Sequence, residues 1–405
     1  MAQPQSKKRA WSRRVESNSL RHSDQTVKAA RKVWQSLKGD TRQFDLVDEV
    51  AQDRGPELTL AYSNVIMVAA GFRRRTSSAG RSVLTKQPCV VFVVKAKWLT
   101  DPGREVDPQR LPRCLLAHVS IDGRRVRCAI PTDVQAQDSF LETRSMGNSI
   151  LQIGSGSLAG TGAAACAVEL GTDTGAKKLL LSAHHVFSHT PDVTMRTPQP
   201  DWQITPLSLT VSPAPLPFAT STKWGGEMRA DGQPSFDVQL AEVTDWNIAR
   251  LALPELKLSA TEPYAGSVGK VMALAQVSAF EILVPIDNPN LQGLSRLPTE
   301  LDFDMVLSDA YGFDCLVLEN GLRVWRHLTF QRLVRMKPKP GSGVLLPGDS
   351  GSVVVARGAD GSHTLIGLFI ASGSEFAYAI PAWQLFDASY YARLPSGRPL
   401  LPISV

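Results

Sequence analysis

A serine hydroxyl attacks a carbonyl only when a neighbouring base, usually an imidazole, takes its proton. Pro347-Gly348-Asp349-Ser350-Gly351-Ser352 sets a serine among small residues that let a backbone turn approach a reacting carbonyl. Leu181-Ser182-Ala183-His184-His185-Val186 sets two histidines just after an apolar run that reads as a strand, with His185 lying 165 positions before Ser350. Between them, Phe236-Asp237-Val238-Gln239-Leu240-Ala241 places an aspartate at the opening of an apolar stretch. These are the parts of an acyl-transfer site. The serine attacks, the histidine accepts its proton, a buried carboxylate fixes the imidazole tautomer, and backbone N–H groups hold the oxyanion.

Each run also has a bland explanation. A lone histidine is ordinarily structural or solvated, and His189 reads as a loop residue. Asp192, Asp201, Asp231 and Asp245 all lie near Asp237 in the sequence. Only Asp237 is preceded by Phe and followed by alternating apolar residues, as a carboxylate entering a buried strand should be. Three fragments in one order weigh against chance.

The runs resemble those of the trypsin/chymotrypsin-like serine proteases. Leu181 to Val186 is similar to the family's histidine motif, Gly348 to Ser352 to its serine motif and Phe236 to Ala241 to its aspartate motif. The chain order His, Asp, Ser is also the family's, and it differs from that of α/β-hydrolases and subtilisins. Counting from Ser182-Ala183, the resemblance puts the base at His185, with His184 in a small-residue slot and as the alternative base. It implies Asp237 as orienter, Ser350 as nucleophile, and an oxyanion hole from the N–H groups of Gly348 and Ser350. Gly351 would permit the tight turn. Asp349 either pairs with a new N-terminus after a cut near Arg144, or belongs to an enzyme that needs no cut; the second is preferred.

Carrying pocket positions over by spacing puts Val344 six residues before the serine, where an acid would select Lys or Arg. Ile370, Ala371 and Ser372 would pair with substrate backbone, and Phe376 would narrow the pocket. The implied preference is a small or apolar residue on the acyl side of the cut. Gly367 to Ile370 is equally readable as plain core strand. Val186 stands where secreted members carry a disulfide cysteine, which is similar to intracellular, high-temperature-requirement-type and plant narrow-leaf-type members. Residues 61–140, with Gly71, Val90 to Lys95 and Ile130 to Val134, loosely resemble the N-terminal extension of the plant group.

The elements that must position these groups follow from composition and pattern. With 405 residues, 43% of them apolar, 30 glycines and 27 prolines, the chain reads as globular, loop-rich and able to bury a sizeable core. No run approaches the roughly 18 to 20 apolar residues of a membrane helix, and Met1 to Glu16 lacks the apolar core of a secretory signal. Five widely spaced cysteines without a CxxC pair argue against a zinc site or a disulfide framework, and for a reducing, cytoplasmic setting. Residues 1–43 hold eleven Lys/Arg against three Asp/Glu, a net of +8, while the rest of the chain carries −2 of the total +6. Such an arm is able to touch nucleic acid or an anionic surface, although a solvated tail is the plainer expectation.

The expected fold is mainly β. Residues 1–60 form a basic, partly disordered arm with a short amphipathic helix from Ser23-Asp24 to Gly39, its apolar face Val27, Ala30, Trp34 and Leu37. Residues 61–140 form a small β-rich (α+β) domain with a hairpin turn at Asp122-Gly123. From 141 to 405, short apolar runs such as Lys178 to Ser182, Lys270 to Gln276 and Val353 to Ala356 alternate with turn residues. By the resemblance, this stretch is a two-barrel chymotrypsin-like protease domain. The expected activity is that of a serine endopeptidase acting on protein or peptide substrates, with no metal or organic cofactor. A catalytically silent protease-like scaffold is the alternative, and a nucleic-acid binder working through the basic arm a third. Oligomeric state is not legible.

Overall fold

A computed structural model describes residues 25–39, 42–76, 82–95, 111–136, 141–142, 151–153, 160–172, 175–187, 198, 200–206, 216–229, 231–283, 298–307, 311–319, 322–343, 345, 348–373, 375–395 and 400–404. The expected disordered arm up to about residue 23, together with Arg144, His189 and Val344, lies outside the described residues. The chain divides into two compact units. One comprises 1–137 with 268–276 and 304–308; the other comprises 138–267, 277–303 and 309–405.

In the first unit, the helix Gln25–Ser36 buries Val27, Ala30 and Trp34, the expected face, and Gly39 beyond it takes the left-handed φ of 83°. A second helix, Arg42–Ala61, joins it where the sequence suggested only one. Gly55-Pro56 reads as a breaker and masks its periodicity, yet Phe44, Val47, Val50, Ala51 and Leu58 are buried along one side. Phe44 meets Phe72 edge-on with ring centroids 6.1 Å apart. The strands of this unit are Val65–Thr76, Ser82–Val94, Cys114–Ile121 and Arg124–Ala136. Val65–Thr76 and Ser82–Val94 are antiparallel, Ser82–Val94 and Arg124–Ala136 parallel, and Cys114–Ile121 closes the hairpin. Cys89 to Val93 are fully buried, which fits a strand apolar on both faces.

Lys270 to Gln276, expected among the β runs, is helical within Val268–Val277. Lys, Met, Ala, Leu and Gln are strong helix formers, and the buried Val268, Val271 and Met272 stand at i, i+3 and i+4. Local propensity and spacing both override the impression of a short apolar strand.

The second unit is built from strands. Six of them close an antiparallel barrel in the order Ala279–Leu283, Thr299–Val306 (through its residues 299–303), Val334–Pro338, Ala377–Pro381, His363–Gly373 and Val353–Arg357, which returns to the first. Closure removes the free edges an open sheet would carry. Phe280, Ile282, Val334, Met336, Val354 and Leu368 are buried in these strands. An eight-stranded antiparallel sheet runs in the order Leu400–Ile403, Cys166–Thr172, Gly175–Ser182, Gln239–Val243, Ala219–Gly225, Gln203–Pro206, Leu151–Ile153 and Gly160–Gly162. Among the described residues no helix is long and apolar enough to cross a membrane.

Candidate active site

His185 follows directly from a buried strand. Leu179 to Ser182 pair with Gln239 to Glu242, so the residues just after one strand and just before the other meet at the same end of the sheet. Ala183 then turns the chain into the short helix His184–Phe187. The register carries His185 to Asp237, which lies two positions before the strand Gln239–Val243.

The carboxylate of Asp237 is held from two directions. His185 Nδ1 lies 2.6 Å from Asp237 Oδ2, and the His185 backbone N–H donates to Oδ1 at 3.0 Å. An ionised carboxylate only accepts, so Nδ1 carries a proton toward Asp237, and in the neutral ring Nε2 is then the acceptor. That Nε2 is buried and takes no hydrogen bond among the described residues. Burial pushes the Asp237 carboxyl up. The charge of His185, its ring and backbone hydrogen bonds and the charge of His184 outweigh this, and the group is held below the ordinary carboxylate range. His184 is also fully buried, but the hydrogen bonds to Asp237 come from His185.

The backbone around Asp237 is clamped. Phe236 N–H donates to Glu227 O, Gly226 N–H donates to Val238 O, and Val238 N–H returns to Phe236 O. A Cβ on Gly226 would stand 2.0 Å from Phe236 O, so only glycine allows this approach. The Phe236 ring packs against Tyr390 and Tyr391, with centroids 5.3 and 5.4 Å away, and Tyr391 Oη donates to Leu385 O at 2.6 Å. The Phe before the aspartate thus anchors it from behind.

Ser350 sits in a turn flanked by positive-φ glycines, Gly348 at 96° and Gly351 at 91°. Its hydroxyl donates to Ile370 O at 3.2 Å, while Gly351 N–H donates to Phe369 O at 2.9 Å. The turn is tied to the histidine strand through Ala163. Ala163 N–H donates to Ser350 O, and Ala163 O accepts from Ser182 Oγ at 2.6 Å. Ser182 lies three residues before His185, so its hydroxyl joins the serine turn to the histidine turn. Gly351→Ala is expected to lower stability by about 3 kcal/mol or more, through left-handed strain and a direct clash. The added Cβ would stand 2.2 Å from Ala163 O and 2.4 Å from Ser182 Oγ. Thermal unfolding of the variant measures it.

Of the residues expected to line a substrate pocket, Ile370 and Ala371 are buried in the strand His363–Gly373, Ser372 is partly exposed and Phe376 is buried. The Arg335 guanidinium lies 4.3 Å from the Phe376 ring centroid and the Lys337 ammonium 5.8 Å. Gly162, Ala163, Gly226 and Tyr391 support the site but were not singled out from sequence. The one available signal was the small-residue run Gly160 to Ala165, within which Gly162 packs where a side chain would not fit: a Cβ there would lie 2.2 Å from Val186 Cγ1. Cys89, Cys114, Cys128 and Cys166 are buried free thiols, and burial pushes Cys166 up to about 12. Neither protein-family models nor curated proteins give a match to this chain.

Proposed function

We propose that this chain is a serine endopeptidase with a two-barrel chymotrypsin-like protease domain, cutting protein substrates through His185, Asp237 and Ser350. The observation that carries the proposal is the doubly hydrogen-bonded Asp237–His185 pair, in which the carboxylate engages Nδ1 and not Nε2. The bond from Ala163 to the Ser350 turn supports bringing the nucleophile to the same place.

In the proposed reaction His185 Nε2 takes the Ser350 proton as Oγ forms a bond to the scissile carbonyl carbon. The carbonyl π electrons move to oxygen, and the N–H groups of Gly348 and Ser350 hold that oxyanion. Collapse re-forms the carbonyl and breaks the C–N bond, with His185 passing its proton to the departing amine. Water then repeats the sequence on the acyl-enzyme and frees the acid. Asp237 stays ionised throughout, stabilising the imidazolium through Nδ1–H. The left-handed φ of Gly348 supports its N–H being turned away from the regular ladder.

Arg335 and Lys337 over the Phe376 ring disfavour Lys or Arg on the acyl side. Four buried free thiols support a reducing compartment such as the cytoplasm. A fluorophosphonate probe tests the proposal: the adduct is expected on the peptide containing Ser350. Absence of label from folded protein would leave the silent scaffold, a reading favoured by the Ser350 hydroxyl being bonded to Ile370 O.

The assignment of the base has its own test. His185→Ala is expected to abolish labelling and turnover, while His184→Ala keeps the Asp237 hydrogen bonds and retains activity. The reverse result would move the base to His184.

A further inference from the structure

The hairpin of Cys114–Ile121 and Arg124–Ala136 ends the first unit's sheet, with Cys114–Ile121 as its last strand. Asp122 and Gly123 both have positive φ, 50° and 74°, the two-residue turn that makes Ile121 and Arg124 a hydrogen-bonded pair. Bonded pairs alternate along an antiparallel ladder, so Ala117 and Val119 turn their N–H and C=O groups inward. Leu116, His118 and Ser120 turn theirs outward. No strand pairs with that outer edge among the described residues.

The exposed side chains beside this edge are arginine, histidine and serine. His118 stands opposite Arg127 and Ser120 opposite Arg125, all four exposed on one face. The same face carries Cys114, Leu116 and Ala129, packed with Ala30 of the helix Gln25–Ser36. That helix has no acid and exposes Lys28 and Lys32. Asp122, the acid of the turn, bonds Arg42, and Arg124, Arg125 and Arg127 have no acidic partner among the described residues.

We infer that Cys114–Ile121 is a docking strand for an extended acidic segment of a protein partner, added to the sheet edge as a further strand. The incoming backbone supplies partners for the outward groups of Leu116, His118 and Ser120, and alternate Asp or Glu side chains face the cations. An added strand lies about 5 Å from Cys114–Ile121 and about 10 Å from Arg125 and Arg127, a span that an arginine and a glutamate side chain bridge together. A polynucleotide fits less well. The described face exposes no aromatic side chain on which bases would stack, and outward carbonyls repel phosphate. The inference is independent of the serine site.

The test is fluorescence anisotropy of the full-length protein with a short, end-blocked peptide of alternating Glu and Val, its integrity checked by mass spectrometry. Binding is expected to weaken with salt and to fall roughly tenfold or more in the Arg125→Glu, Arg127→Glu double variant. It is also expected to vanish for wild-type protein when alternate peptide amides are N-methylated. Equal binding of the N-methylated peptide would overturn strand addition and leave a charged patch. Tighter binding of a single-stranded oligonucleotide of equal charge would assign the face to nucleic acid, and failure of the acidic peptide to bind would end the proposal.

Discussion

Ser350→Ala is expected to lower kcat/KM on a susceptible protein substrate by roughly 10⁴-fold or more, because in the proposed reaction Ser350 is the nucleophile that forms the acyl-enzyme. The residual rate should be that of a site that still binds substrate and holds an oxyanion without covalent chemistry. The substitution removes one hydroxyl and with it the hydrogen bond to Ile370 O. The backbone bonds of the turn, from Ala163 to Ser350 O and from Gly351 to Phe369 O, remain. Unfolding temperature should therefore change little while activity collapses. An undiminished rate in the alanine variant would remove Ser350 from the chemistry.

Asp237→Asn is expected to cost a comparable factor, roughly 10⁴-fold in kcat, for a different reason. The His185 backbone N–H donates to Oδ1 at 3.0 Å and holds whichever oxygen is present on that side. An asparagine would keep its oxygen there and turn its NH₂ toward Nδ1, 2.6 Å away in the native pair. A donor facing Nδ1 drives the ring proton to Nε2, which then cannot accept from Ser350. Nitrogen NMR of the His185 ring would read the tautomer directly, and retention of the native tautomer with full activity would contradict the assignment.

The same variant has a signature in stability. The folded Asp237 carboxyl lies below its ordinary value, although burial alone would raise it. The unfolded chain therefore takes up the proton first as pH falls. The stability this group contributes is whole above the unfolded value of about 3.9 and is lost as pH drops through the folded one. Asp237→Asn should flatten that part of the acid limb in thermal unfolding across pH. An unchanged acid limb would mean that the group is no better stabilised in the fold than in the open chain.

Much of the site's local chemistry was legible because it depends on near neighbours in sequence. Glycines at 348 and 351 announce a turn with left-handed backbone, and both take positive φ. Phe before Asp237 and apolar residues after it announce a carboxylate entering a buried strand, and Asp237 is fully buried. Asp122-Gly123 announced its hairpin for the same reason, since few other residue pairs tolerate two positive φ values in succession. The helix Arg42–Ala61 was hidden because Gly55-Pro56 counts heavily against a helix in any local window. Its stability comes from burial against strands, which no window contains.

What the linear order of residues settled by itself is which groups are present and which turns and strand ends carry them, because backbone preference and hydrophobic spacing are local properties. Which histidine meets Asp237, which glycines and alanines press against the serine turn, and which strand is left with an open edge were decided only in three dimensions. Ser182 and Ala163 illustrate why. Nineteen positions apart along the chain, they meet through a hydrogen bond of 2.6 Å, and it is the pairing register of strands brought together by burial that sets such meetings.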